Sequence, residues 1–143
     1  MKFVLDASVT LTWLLKDAGE RSEAYAFEVL KQIRSSGTEM HVPGVWGLEI
    51  ANVIARSEAQ GNLTAAQSES FLEVLGAAPI MVDAGTATHA LSETLQLARR
   101  YRLPAYDASY LELALRVGLP LASLDEALRK AATKAGVKLH KAA

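Results

Sequence analysis

The chain has 143 residues, half of them hydrophobic, with no cysteine and a formal net charge of −1. That length predicts one domain over 1–143 with enough apolar content to fill a core unaided. The missing cysteine excludes a disulfide framework, a thiolate zinc site and a cysteine nucleophile, and fits a reducing, cytoplasmic location. The small net charge hides an asymmetry: residues 1–92 carry 6 basic and 11 acidic side chains, residues 93–143 carry 9 and 5. A basic C-terminal half suits contact with a polyanion, although solvated helix faces produce the same bias.

The apolar run Lys2-Phe3-Val4-Leu5 predicts a first strand, followed by a helix over about 7–15 and a second over about 19–35 that stops at Ser35-Ser36-Gly37. The segment Ala7 to Leu15 is not expected to be a secretion signal, since Asp6 precedes it, Lys16 ends it and no small-residue cleavage pattern follows. No stretch is long enough to span a bilayer. Met40-His41-Val42 predicts a second strand. Pro43-Gly44 opens a helix over about 45–60 closed by Gly61-Asn62, and Thr64 caps another running to about Leu75. Pro79-Ile80-Met81-Val82 predicts a third strand and 86–101 a helix, which Leu103-Pro104 separates from the next helix, Asp107 to about Val117. Leu119 to Ala122 predicts a fourth strand, 126–135 a last helix and 137–139 a short closing strand. Strands separated by helices predict an α/β fold with a parallel sheet covered on both faces.

In such sheets ligands gather beyond the carboxyl ends of the strands. Asp6 and Asp125 lie there by topology, and Glu49 and Asp107 stand near the starts of helices. Each acid has an ordinary explanation: Asp6 and Asp125 as helix caps, Asp107 as a first-turn acid favoured by the helix dipole, Glu49 as an edge residue open to water. Glu49 is the most telling alone, because Val45 and Val53 lie one turn either side and set a carboxylate in an apolar stripe. Four carboxylates brought together repel unless a cation or proton separates them, so convergence predicts bound Mg²⁺ or Mn²⁺. Ser8 and Ser123 are positioned to support such ligands. Asp83 is expected to be a helix cap. His41, His89 and His140 have no partner at metal-ligand spacing. Trp13, Trp46 and Tyr110 are expected in the core or at an interface rather than as base-stacking platforms.

The same residues carry a resemblance to a known family. Phe3-Val4-Leu5-Asp6-Ala7-Ser8 resembles the first strand, leading acid and hydroxyl of the PIN-domain nucleases, and within them the VapC-type toxins. Val42-Pro43 with Leu48-Glu49-Ile50-Ala51-Asn52-Val53 is similar to the family's helical glutamate segment. Leu103-Pro104-Ala105-Tyr106-Asp107-Ala108-Ser109-Tyr110 is the most specific match, with Asp107 as the third acid. Pro120-Leu121-Ala122-Ser123-Leu124-Asp125 resembles the closing strand, with serine where threonine is more usual, and Glu126 adjoins Asp125 as an alternative fourth acid.

That resemblance covers essentially the whole chain. It implies a three-layer α/β/α PIN-like fold with a central, mainly parallel sheet of four to five strands. It further implies a metal-dependent endoribonuclease in which Asp6, Glu49, Asp107 and Asp125 hold Mg²⁺ or Mn²⁺, directly or through waters. The implied partners are single-stranded or looped RNA, a VapB-like antitoxin whose tail blocks the pocket, and a second copy of the chain in a homodimer. Two rival readings compete. One is a PIN-like protein-binding module without cleavage, which the presence of all four acids disfavours. The other is a haloacid dehalogenase-like phosphatase, for which Ser8 stands where a second acid is required.

Overall fold

The computed structural model describes residues 1–142. Phe3, Val4 and Leu5 are fully buried in strand β1 (Lys2–Leu5). A strand apolar on both faces must be covered on both, and β1 is central: the sheet runs β3-β2-β1-β4, parallel throughout, with β2 spanning Glu39–Val42, β3 Ile80–Val82 and β4 Leu121–Ala122. The predicted closing strand is reduced to a single parallel bridge, Leu121 to Leu139. Four strands plus this bridge meet the expected four to five.

Helices carry the chain between strands: α1 (Ala7–Leu15), α2 (Glu20–Ile33), α3 (Trp46–Ala59), α4 (Ala65–Ala77), α5 (Thr86–His89), α6 (Leu95–Tyr101), α7 (Ala105–Val117) and α8 (Glu126–Lys134). Several local predictions are met by identifiable contacts. Thr64 caps α4 in a reciprocal capping box with Gln67. Gly118 ends α7 with φ +68°, a conformation that suits glycine. Trp13 and Trp46 are core residues whose indole N–H groups donate to the Ala26 carbonyl at 2.7 Å and Thr10 Oγ1 at 3.2 Å.

The predicted helix over 86–101 is interrupted. A π-helical turn, Ala90–Thr94, separates α5 from α6. The wider turn rotates α6 away from the direction a continuous α-helix would take, burying Thr94 while Leu91 stays 88% exposed. The other departure is at α7, which begins at Ala105, so Asp107 is its third residue rather than its first. This helix packs on β1 and buries Tyr110, Leu111, Leu113 and Ala114.

The C-terminal segment returns to the sheet. The His140 ring stacks on Phe3 with centroids 3.9 Å apart and shares a hydrogen bond with Gln32 Oε1, and the Tyr25 hydroxyl donates to the His140 carbonyl. The histidines therefore stand apart from the acids: His89 pairs with Glu93, and the buried Nε2 of His41 finds no partner among the described residues.

Candidate metal centre

β1 delivers Asp6 to the carboxyl edge of the sheet, and there it is 4% exposed. It holds the N-cap position of α1, yet its side chain makes no capping bond. Instead Oδ2 accepts from both Ser8 Oγ (2.5 Å) and Ser123 Oγ (2.8 Å). Parallel pairing of Leu5 with Ala122 brings Ser123 alongside, so the contact follows from register. The two serines also take backbone amides, Ser8 from Leu124 and Ser123 from Asp125. The Asp6 loop and the Ser123 loop are thus sewn together. Burial pushes the Asp6 carboxyl up to about 6; the serines oppose this, and Glu49 and Asp125 add repulsion.

Glu49 stands in the first turn of α3, half-buried, and its Oε1 accepts from the Tyr110 hydroxyl at 2.7 Å. Burial raises its pKa above the usual carboxylate range, with the Tyr110 bond opposing and the Asp107 charge reinforcing. Asp107, in the first turn of α7, is pushed up to about 6 by burial, then by the charges of Asp6 and Asp125. Asp125 caps α8, accepting from the Leu128 amide at 2.8 Å through Oδ1. Capping therefore accounts for one oxygen of Asp125 and none of Asp6. Glu126, by contrast, is exposed and lies 4.0 Å from Lys130.

All four acids named from sequence therefore share one electrostatic neighbourhood, and no lysine or arginine is among the hydrogen-bond partners of their side chains in the described residues. No three of the described acidic or histidine side chains are grouped tightly enough to hold one ion by direct ligation alone. The donor set is nonetheless all hard oxygen, raised in affinity for positive charge by burial and mutual repulsion. That chemistry fits Mg²⁺ or Mn²⁺, ions that keep several waters when bound by few carboxylates.

A cleft of about 420 Å³ adjoins the site at Asp125 and is lined also by Ser8, Leu124, Val53 and Arg56. Of the basic side chains in the C-terminal half, Arg129 is committed to the Ser123 carbonyl and the Tyr25 ring, and Arg116 to Glu112 and Asp83. Asp83, expected as a helix cap, accepts the Gly85 amide at 3.1 Å, but its carboxylate is held mainly by Arg116. Sequence reasoning places Tyr110 in the core and misses its bond to Glu49. The available signal was spacing, since Tyr110 lies three residues beyond Asp107 and so on the same helix face.

Comparison with known proteins bears on the fold and the family. Two solved structures share the fold: PAE2754 of Pyrobaculum aerophilum (TM-score 0.66, 23% identity, 92% of this chain and 79% of that one) and FitAcB of Neisseria gonorrhoeae (TM-score 0.61, 16% identity, 99% and 98%). Among curated proteins, Ribonuclease VapC3 of Mycobacterium tuberculosis is 33% identical over 130 residues, covering 90% of this chain and 85% of the relative. Ribonuclease VapC3 of Pyrobaculum aerophilum is 28% identical over 128 residues, covering 90% and 92%. The PIN domain model matches residues 3–134, all but the two ends of the chain. The chain belongs to the PIN-domain family.

Proposed function

We propose that the protein is a metal-dependent endoribonuclease of the VapC type, the toxin of a toxin–antitoxin pair. The observation that carries the chemistry is a carboxylate cluster left without a cationic partner at the carboxyl edge of a parallel sheet. The ribonuclease names of relatives at 33% and 28% identity support the substrate. Membership in the PIN family replaces the phosphatase alternative, which rested on Asp6-Ala7-Ser8-Val9-Thr10.

In this reading Asp6, Glu49, Asp107 and Asp125 hold Mg²⁺ or Mn²⁺, with Ser8 and Ser123 as supports. When bound, the cation would offset phosphate charge and make water more acidic at the scissile bond. The protein's own contribution is to fix the donors. Two hydroxyls on Asp6 Oδ2 lock its rotamer and leave Oδ1 without a protein donor among the described residues. Asp125 is held by the amide of Leu128 and Glu49 by Tyr110. Arg56 lines the same cleft as Asp125, a cationic group available there to a substrate phosphate. The recess favours single-stranded or looped RNA, because a base-paired helix cannot bring its backbone into a concave acidic pocket without opening.

The direct test is incubation of the purified chain with a single-stranded RNA in Mg²⁺ or Mn²⁺, against a chelator and against Asp107→Asn. Cleavage leaving 5′-phosphate and 3′-hydroxyl ends, lost with the chelator and with the variant, supports the reading. Equal cleavage by Asp107→Asn overturns the site. The toxin role further implies a VapB-like antitoxin and a homodimer. Co-purification with a partner of roughly 8–10 kDa, the size of a minimal DNA-binding dimerisation head with a tail, tests the first, and light scattering the second. No helix among the described residues is long and apolar enough to cross a membrane.

A further inference from the structure

The Tyr110 side chain is fully buried, in a layer where phenylalanine would fill the same space without a hydroxyl to satisfy. Its oxygen is nevertheless engaged. It donates to Glu49 Oε1 at 2.7 Å, and the backbone of Ala7, the residue after Asp6, lies close enough to act on it electrostatically. Tyr110 itself stands one turn beyond Asp107 on α7. A single phenol thus touches α1 beside the first acid, α3 at the second, and belongs to the helix of the third.

Glu49 needs such a tie more than its neighbours. Asp6 is fixed by two serines and Asp125 by an amide, whereas among the described residues the phenol is the one hydrogen-bond partner of the Glu49 carboxylate. Without it, a glutamate on the first turn of α3, beside the 73% exposed Leu48, has three side-chain torsions free to turn toward solvent.

We propose that Tyr110 is a positioning residue: by holding Glu49 Oε1 it presents the other oxygen of Glu49, directly or through a bound water, to a hydrated divalent cation shared with Asp6 and Asp107. This rests on the metal-nuclease reading above. The phenol meets the carboxylate as a hydrogen-bond donor at 2.7 Å, so its effect on a cation runs through Glu49. A donor that orients a ligand carboxylate typically changes metal affinity by 10–100-fold when removed.

The test compares Mn²⁺ binding to the metal-stripped parent, Tyr110→Phe and Asp107→Asn by titration calorimetry and by electron paramagnetic resonance of free Mn²⁺. Tyr110→Phe should weaken Mn²⁺ binding about 10–100-fold and lower kcat with little change in KM for RNA. Unchanged Mn²⁺ affinity in Tyr110→Phe, whatever its melting temperature, overturns the inference and leaves the nuclease reading standing. A parent that binds no Mn²⁺ overturns both. As a readout that does not depend on Tyr110→Phe folding, 3-fluorotyrosine placed at position 110 of the parent should shift its fluorine resonance when Mg²⁺ is added to the stripped protein. A resonance that stays fixed at saturating Mg²⁺ also overturns the inference.

Discussion

The fold gathers acids in two places and treats them in opposite ways. At the end of β3, Asp83 and Glu112 share Arg116, whose guanidinium lies 2.6 Å from Asp83 and 2.8 Å from Glu112. Hydrogen bonding to Arg116 holds Asp83 below its ordinary range. At the end of β1, Asp6, Glu49 and Asp107 are all raised, and their neighbours are hydroxyl, phenol and each other. A chain able to supply an arginine to one acidic cluster withholds it from the other. The first cluster is balanced internally and fastens α7 to the β3 loop; the second is left for a charge from outside.

The largest expected effect tests the open cluster. Asp107→Asn should reduce RNA cleavage by more than the roughly 10–100-fold typical of losing an outer ligand partner, with an unchanged circular dichroism spectrum. Retained cleavage would erase the distinction between the clusters. Next, Arg116→Ala strips the cation from the closed cluster and leaves Glu112, 4% exposed, without its partner. A loss of roughly 3–5 kcal/mol in denaturant unfolding is expected, with cleavage retained under conditions where the variant is folded. A variant of parental stability would show that Arg116 is not what balances that region.

The pH dependence of the metal-free protein should differ in sign between clusters. Asp6 and Asp107 move from 3.8 unfolded to about 6 folded, so the native state binds more protons between those values and stability falls as pH rises from about 4 to 6. For the buried Asp6 the loss is on the order of 3 kcal/mol. Mg²⁺ should restore stability above pH 6 and have little effect near pH 4, which scanning calorimetry with and without chelator measures. Asp83, lowered in the folded state, contributes stability above its unfolded value that is lost as pH falls. Its replacement, Asp83→Asn, carries the smallest expected change, about 1 kcal/mol on unfolding for a partly exposed ion pair with no effect on cleavage. A change in RNA turnover there would join the two clusters functionally.

Much of this was legible in the sequence because local signals and topology agreed. Phe3-Val4-Leu5 reads as a strand buried on both faces, Thr64 as a cap, and the acids at strand ends as neighbours once the sheet is parallel. The π turn at Ala90–Thr94 was not legible, since its apolar spacing suits an ordinary helix. Nor could the sequence distinguish capping from other roles for Asp6 and Asp125. That depended on which oxygen each amide and hydroxyl chose, and the answers diverge: Asp125 caps, Asp6 does not. Tyr110 was hidden by its residue type, a core aromatic in every respect but its hydroxyl. The Asp83 pairing with Arg116 spans 33 positions, beyond the reach of any local pattern.

The bond from Ser123 to Asp6 closes across 117 positions of chain. The first strand leaves the ribosome well before β4, which flanks it, and before the hydroxyl that locks its acid. At roughly 5–20 residues per second the two are separated by about 6–23 s of synthesis. Throughout that interval a growing chain has Asp6 without its companion strand, its Ser123 donor or Asp125. A nuclease built in this order cannot assemble its acidic edge until the segment carrying Ser123 and Asp125 has been made.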